Sequence, residues 1–184
     1  MFVSLRTFFQ EHSSLKNSVR TITGVSLFVA LYTALSFFTI GLTPTLRISF
    51  SFLALAASCY FYGLGPNLAG AFVCDLLGFL IHPEGGYVPF FALVLMLDAA
   101  IYSLFFYGQK KVALWRIISA RTLVMVLSHL ILNPLLLMFM YQMPYWSLVM
   151  TRLPKNLIML PIEILLMTLV LNICSRIRTA RRAG

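Results

Sequence analysis

Charge is scarce in this 184-residue chain: charged side chains make up 10% of it, and only five are acidic. A soluble domain carries about a quarter charged residues and an apolar fraction near half, so 60% hydrophobic residues and a mean hydropathy of +0.92 exclude that class. Cysteine is scarce too. Cys59, Cys74 and Cys174 are odd in number, each sits in an apolar run, and none has a metal or redox spacing, which rules out a disulfide scaffold. Ten glycines and eight prolines without a period exclude collagen-like and low-complexity chains. His12, His82 and His129 are scattered; His-Glu-x-x-His, Gly-x-Ser-x-Gly and a phosphate-binding Gly-x-x-x-x-Gly-Lys-Ser/Thr are all absent. No catalytic constellation, metal or cofactor is therefore expected, and any active uptake draws its energy from another subunit or an ion gradient.

Long apolar runs remain. At about 20 residues per bilayer crossing, the length admits six crossings, placed at 21–40, 48–62, 64–81, 89–107, 113–140 and 157–175. The dividers are rich in helix breakers or charge: Gly41-Leu42-Thr43-Pro44, Gly63 to Asn67, His82 to Gly86, Gln109-Lys110-Lys111 and the segment from Tyr141 to Asn156. The chain divides into a segment 1–20, read either as an interfacial helix or as a disordered tail, a six-helix transmembrane domain 21–175 and a basic tail 176–184.

An even number of crossings puts both termini on one side. That side takes Arg6, Lys16, Arg20, Lys110, Lys111, Arg116, Arg176, Arg178, Arg181 and Arg182, while the other takes Arg47, Arg152 and Lys155, and Arg121 falls inside a helix. The positive-inside rule then makes both termini cytoplasmic. The net charge of +9 serves topology and anionic headgroups, not nucleic acid.

Two small-residue stripes stand out. Ser26, Ala30 and Ala34 in the first crossing, and Gly70, Cys74 and Gly78 in the third, allow close helix approach. The third-crossing stripe reads as internal packing; the first reads equally as internal packing or as a docking face for a second membrane protein. Asp75, Asp98, Arg121, His129 and Glu163 lie in or near apolar crossings, where an unpaired charge is costly. Three readings apply to them: a carboxylate reaching water at a helix end, a buried Asp–Arg pair that holds the bundle, or proton coupling in a secondary carrier.

Three segments share the outer face. Arg47 to Phe52 opens the second crossing, Pro83 to Phe91 enters the fourth, and Arg152 to Asn156 leads into the sixth. They bring together rings (Phe50, Tyr87, Phe90, Phe91), cations (Arg47, Arg152, Lys155) and the Asn156 amide, a set suited to a planar, anionic small molecule. Taken singly, each also fits an interfacial aromatic belt or a snorkelling cation.

At these same segments the chain resembles the substrate-binding, or S, components of energy-coupling factor (ECF) vitamin transporters, most closely the folate-specific branch. The resemblance rests on Ala30-Leu-Tyr-Thr-Ala34, Arg47-Ile-Ser-Phe-Ser-Phe52, Gly65-Pro66, Gly70 to Gly78, Pro83 to Phe91, Ile101-Tyr102, Leu132-Asn133 and Lys155 to Ile162, in that order. It implies an all-α, six-helix membrane bundle that binds a vitamin and docks, through Ala30 and Ala34, onto a transmembrane coupling subunit powered by two ATPase subunits. By position it also implies a pocket of Arg47, Tyr87, Phe90, Phe91, Asn133, Arg152, Lys155 and Asn156, with rings and amides on a pteridine and cations on a glutamate tail. Ala54 and Asp98 depart from the family's usual proline and small residue. The alternatives are an S component for pantothenate, riboflavin or a queuosine precursor, and a proton-coupled carrier using Asp75, Asp98 and Glu163.

Overall fold

A computed structural model describes residues 19–37, 40–43, 46–81, 87–109, 111–142 and 144–183. Its elements are α1 (Val19–Phe37), β1 (Ile40–Thr43), β2 (Leu46–Ile48), α2 (Ser51–Tyr62), α3 (Leu64–Ile81), α4 (Phe90–Phe106), α5 (Leu114–Val124), a π-helical segment (Met125–Leu132), α6 (Asn133–Tyr141) and α7 (Tyr145–Ala183). Counting α5, the π segment and α6 as one crossing gives six helical crossings, as the apolar runs require. Four are long and apolar enough to span a bilayer by themselves, whereas α2 and α4 are shorter. Large apolar side chains face outward, among them Leu27, Leu80, Ile158 and Leu165, each more than 60% exposed. On a soluble protein such a surface would aggregate; here it meets lipid.

The core is built around α2, which packs against α1, α3, α4 and α7. Its small residues make this possible: Ala54, Ala56, Ala57, Ser58 and Cys59 are all buried, so neighbouring backbones come close. Tyr60, Tyr102 and Phe106 fill the space beyond them, with Tyr102 and Phe106 stacked at 5.6 Å. Twelve residues rise only about 18 Å, well short of a hydrocarbon layer of about 30 Å. The antiparallel strands β1 and β2 precede α2, and their backbone groups satisfy each other. The sequence reading had this stretch as a helix end and a turn.

A single residue, Gly63, separates α2 from α3, with φ +72°. Gly tolerates that conformation without a Cβ penalty. The turn is tied by Asn67, which is 2% exposed and donates to the Ser58 and Gly63 carbonyls while accepting from the Ser58 hydroxyl. Pro66 falls in the first turn of α3, where its missing N–H costs nothing. On α3, Gly70 admits Val25 of α1: a Cβ there would lie 2.9 Å from the valine methyl. The Gly70 and Cys74 part of the third-crossing stripe is thus internal packing, whereas nothing lies within 4 Å of a Cβ at Gly78.

The fifth crossing changes its winding before Asn133-Pro134. A proline cannot donate to the carbonyl four residues back, here Leu130, and its ring crowds that group. The π segment ends at this point, and Leu130 O instead accepts from the Tyr145 hydroxyl at 3.0 Å, joining the start of α7 to the fifth crossing. Tyr145→Phe should cost about 1 kcal/mol of stability, read as a lower melting temperature in detergent; an unchanged value removes this tie from the account.

α7 is where the sequence reading requires correction. It begins at Tyr145, not Leu157, and continues through Ala183, so part of the expected divider from Tyr141 to Asn156 and most of the basic tail are helical. Pro154 and Pro161 lie inside it. In a membrane helix each proline frees one carbonyl and bends the rod without ending it, which is why proline punctuation misplaced the boundary.

Candidate functional site

The ends of α1, α3 and α6 and the starts of α2, α4 and α7 gather at one end of the bundle, with the β-hairpin among them. Residues 1–18 and 82–86, including Pro83 to Gly86 of the segment entering the fourth crossing, lie outside the described residues, as does the side chain of Arg47, whose backbone on β2 pairs with Gly41 of β1. Phe50 precedes α2 and is half-buried; Tyr87 and Phe91 flank the start of α4 and are half-buried, while Phe90 is 60% exposed. Tyr87 packs on Phe79 of α3 at 5.2 Å. Asn133 is half-buried where the π segment passes into α6.

On α7, Arg152, Lys155 and Asn156 are spaced i, i+3 and i+4, which puts them on one face of the helix. All three are half-buried. Arg152 Nε and the Asn156 side-chain nitrogen are buried donors without a hydrogen-bond partner among the described residues. His129 of the π segment lies within electrostatic reach of Arg152, Lys155 and Arg121. On α3 and just before α4, Asp75 Oδ2 and the Tyr87 hydroxyl are likewise buried without a well-aligned partner, although the two groups are near enough to interact.

Deeper in the bundle a polar cluster joins four elements. Arg121 makes a two-pronged pair with Glu163, Nε to Oε2 at 2.8 Å and Nη2 to Oε1 at 2.7 Å, and donates from Nη1 to the Tyr102 hydroxyl at 2.7 Å. Its guanidinium also lies 4.5 Å from the centre of the Phe52 ring. Beside it, the Ser128 hydroxyl donates to Asp98 Oδ1. The expected reading of a buried ion pair holding the bundle therefore applies, but the carboxylate is Glu163, not an aspartate. No local signal joins Tyr102, Ser128 or Phe52 to these charges; only the fold brings them to Arg121 and Asp98.

On α1, Val25, Phe28, Val29 and Tyr32 line a small cleft shared with α2 and α3. Ser26, Ala30 and Ala34 face the other way and are exposed. Their stripe is not internal packing in this chain.

Residues 16–176 match the family described as ECF-type riboflavin transporter, S component. The chain belongs to the S-component family. Among relatives, the folate transporter FolT of Leuconostoc mesenteroides is 30% identical over 162 residues, covering 85% of this chain and 87% of that one. FolT of Clostridium novyi is 39% identical over 123 residues, 66% of this chain and 70% of that one. A crystal structure of FolT bound with folic acid superposes with a TM-score of 0.77 at 32% identity, covering 84% of this S component and 94% of FolT. An S component is a subunit of a membrane transporter, which agrees with a chain that carries no catalytic motif.

Proposed function

We propose that this S component binds folate at the hairpin end of the bundle and delivers it through a partner coupling subunit driven by two ATPase subunits, with both termini on the cytoplasmic side of the plasma membrane. The family description names a riboflavin transporter, and it is the likeness to FolT, in sequence over most of the chain and in fold to the folic acid complex, that favours folate. The cation face of α7 supports this choice. Arg152 and Asn156 hold unpaired donors in a half-buried setting, and the two carboxylates of a glutamate tail are the acceptors such donors need. Rings at Phe50, Tyr87, Phe90 and Phe91, with the Asn133 amide and Arg47 of β2, complete the proposed pocket; no metal or cofactor takes part.

Purified chain should bind folic acid by itself in isothermal titration but transport it only when reconstituted with the coupling and ATPase subunits. Uptake by the chain alone, abolished by collapsing a proton gradient, would make it a secondary carrier instead. Arg152→Ala should weaken folic acid binding by about 1.5–3 kcal/mol, the cost of one hydrogen bond to a charged group. Unchanged affinity returns Arg152 to a headgroup role.

A further inference from the structure

Asp98 is a buried carboxylate whose hydrogen bonding is incomplete. It sits in the middle of α4, 9% exposed, and among the described residues only the Ser128 hydroxyl donates to it, at Oδ1. A carboxylate offers about four acceptor sites, and leaving them unfilled away from water is expensive. Arg121 is within electrostatic reach, yet its described hydrogen bonds go to Glu163 and Tyr102. Its charge eases the burial of Asp98 while its three described hydrogen bonds go elsewhere. Tyr32 of α1 is also near enough to interact with both Asp98 and Asp75. One wall of the bundle thus presents Asp75 Oδ2, an unfilled acceptor, on α3 and Asp98, with its single donor, on α4, and another, on α7, presents unfilled donors at Arg152 and Asn156.

A ligand that satisfies both walls has adjacent N–H donors at one end and carboxylates at the other. From this polarity, and resting on the folate reading above, we infer that Asp98 is a specificity-determining residue that accepts from the 2-amino and N3–H donors of a 2-amino-4-oxopyrimidine edge. Ser128 holds the carboxylate by Oδ1 and so fixes the direction in which Oδ2 points. The heterocycle then lies against α4, above the Arg121–Glu163 pair, and the tail runs toward Arg152. An asparagine at this position fills the same volume but offers one acceptor and one donor, so it faces one of the ligand N–H groups with an N–H of its own.

The test pairs a protein change with a ligand change. Folic acid and its 2-desamino analogue are titrated into the parent chain, Asp98→Asn and Asp98→Ala, with thermal unfolding of each unliganded protein as the folding control. The parent should prefer folic acid by about 10-fold or more, the usual worth of a hydrogen bond to a charged group. Both variants should lose that preference to within about 3-fold, chiefly through weaker folic acid binding. Equal losses for the two ligands, a retained preference, or failure of both variants to fold would each make Asp98 a structural residue and overturn the inference. If the parent chain binds neither ligand, the folate reading falls first and this one with it.

Discussion

Glu163→Leu should destabilise the chain by about 3–5 kcal/mol, the largest loss expected of any single change in the bundle. The variant leaves Arg121, only 4% exposed, with two of its N–H groups unpaired and its charge offset only by the more distant Asp98. The Tyr102 hydroxyl and the Phe52 ring still touch the guanidinium, but neither carries a negative charge. Replacing both partners, as Arg121→Met with Glu163→Leu, should recover most of the loss, because a buried ion pair contributes little beyond its own desolvation whereas half a pair contributes a penalty. Thermal unfolding of the parent, the single and the double variant in one detergent decides the matter. A single variant as stable as the parent would show that water reaches Arg121, and the bundle would be far less dry at this depth than described.

The second large effect concerns assembly. Ala30→Trp should reduce folic acid uptake in reconstituted vesicles by about 100-fold or more while leaving binding to the isolated chain within about 2-fold of the parent. The reasoning is geometric. Ala30 and Ala34 are exposed on the side of α1 opposite Val25, Phe28 and Val29, so an indole there meets lipid in the free chain and collides only with a helix packed closely against the stripe. Co-purification with the coupling subunit reports the same event directly. Loss of binding in the isolated chain would mean that the stripe supports the pocket; normal uptake would mean that docking uses another face.

Much of this architecture is legible in the sequence because membrane helices announce themselves locally, through apolar runs between Gly, Pro and charge. The third crossing ends at Ile81, where its run meets His82-Pro83, and Gly63 alone marks the turn between α2 and α3. What escaped has a non-local cause in each case. The β-hairpin depends on Ile40 meeting Ile48, which no single-residue preference signals. The early start of α7 follows from a bilayer tolerating Pro154 and Pro161 inside a helix. In the site, the i, i+3, i+4 spacing of Arg152, Lys155 and Asn156 put them on one face from the outset, but the partnerships of Asp98 with Ser128 and of Arg121 with Glu163 and Tyr102 join residues 19 to 42 positions apart. Intramembrane charge told which residues mattered; it did not tell which of them were already answered for.

The one-residue turn at Gly63 bears on biogenesis. Too short to cross a bilayer unaided, α2 has no free linker on which to wait for α3, and Asn67 fastens the two helices across the bend. Ser51 to Ile81 must therefore leave the insertion machinery as a single folded-back unit, and a lengthened linker at Gly63 would strand the first of the two at the membrane surface.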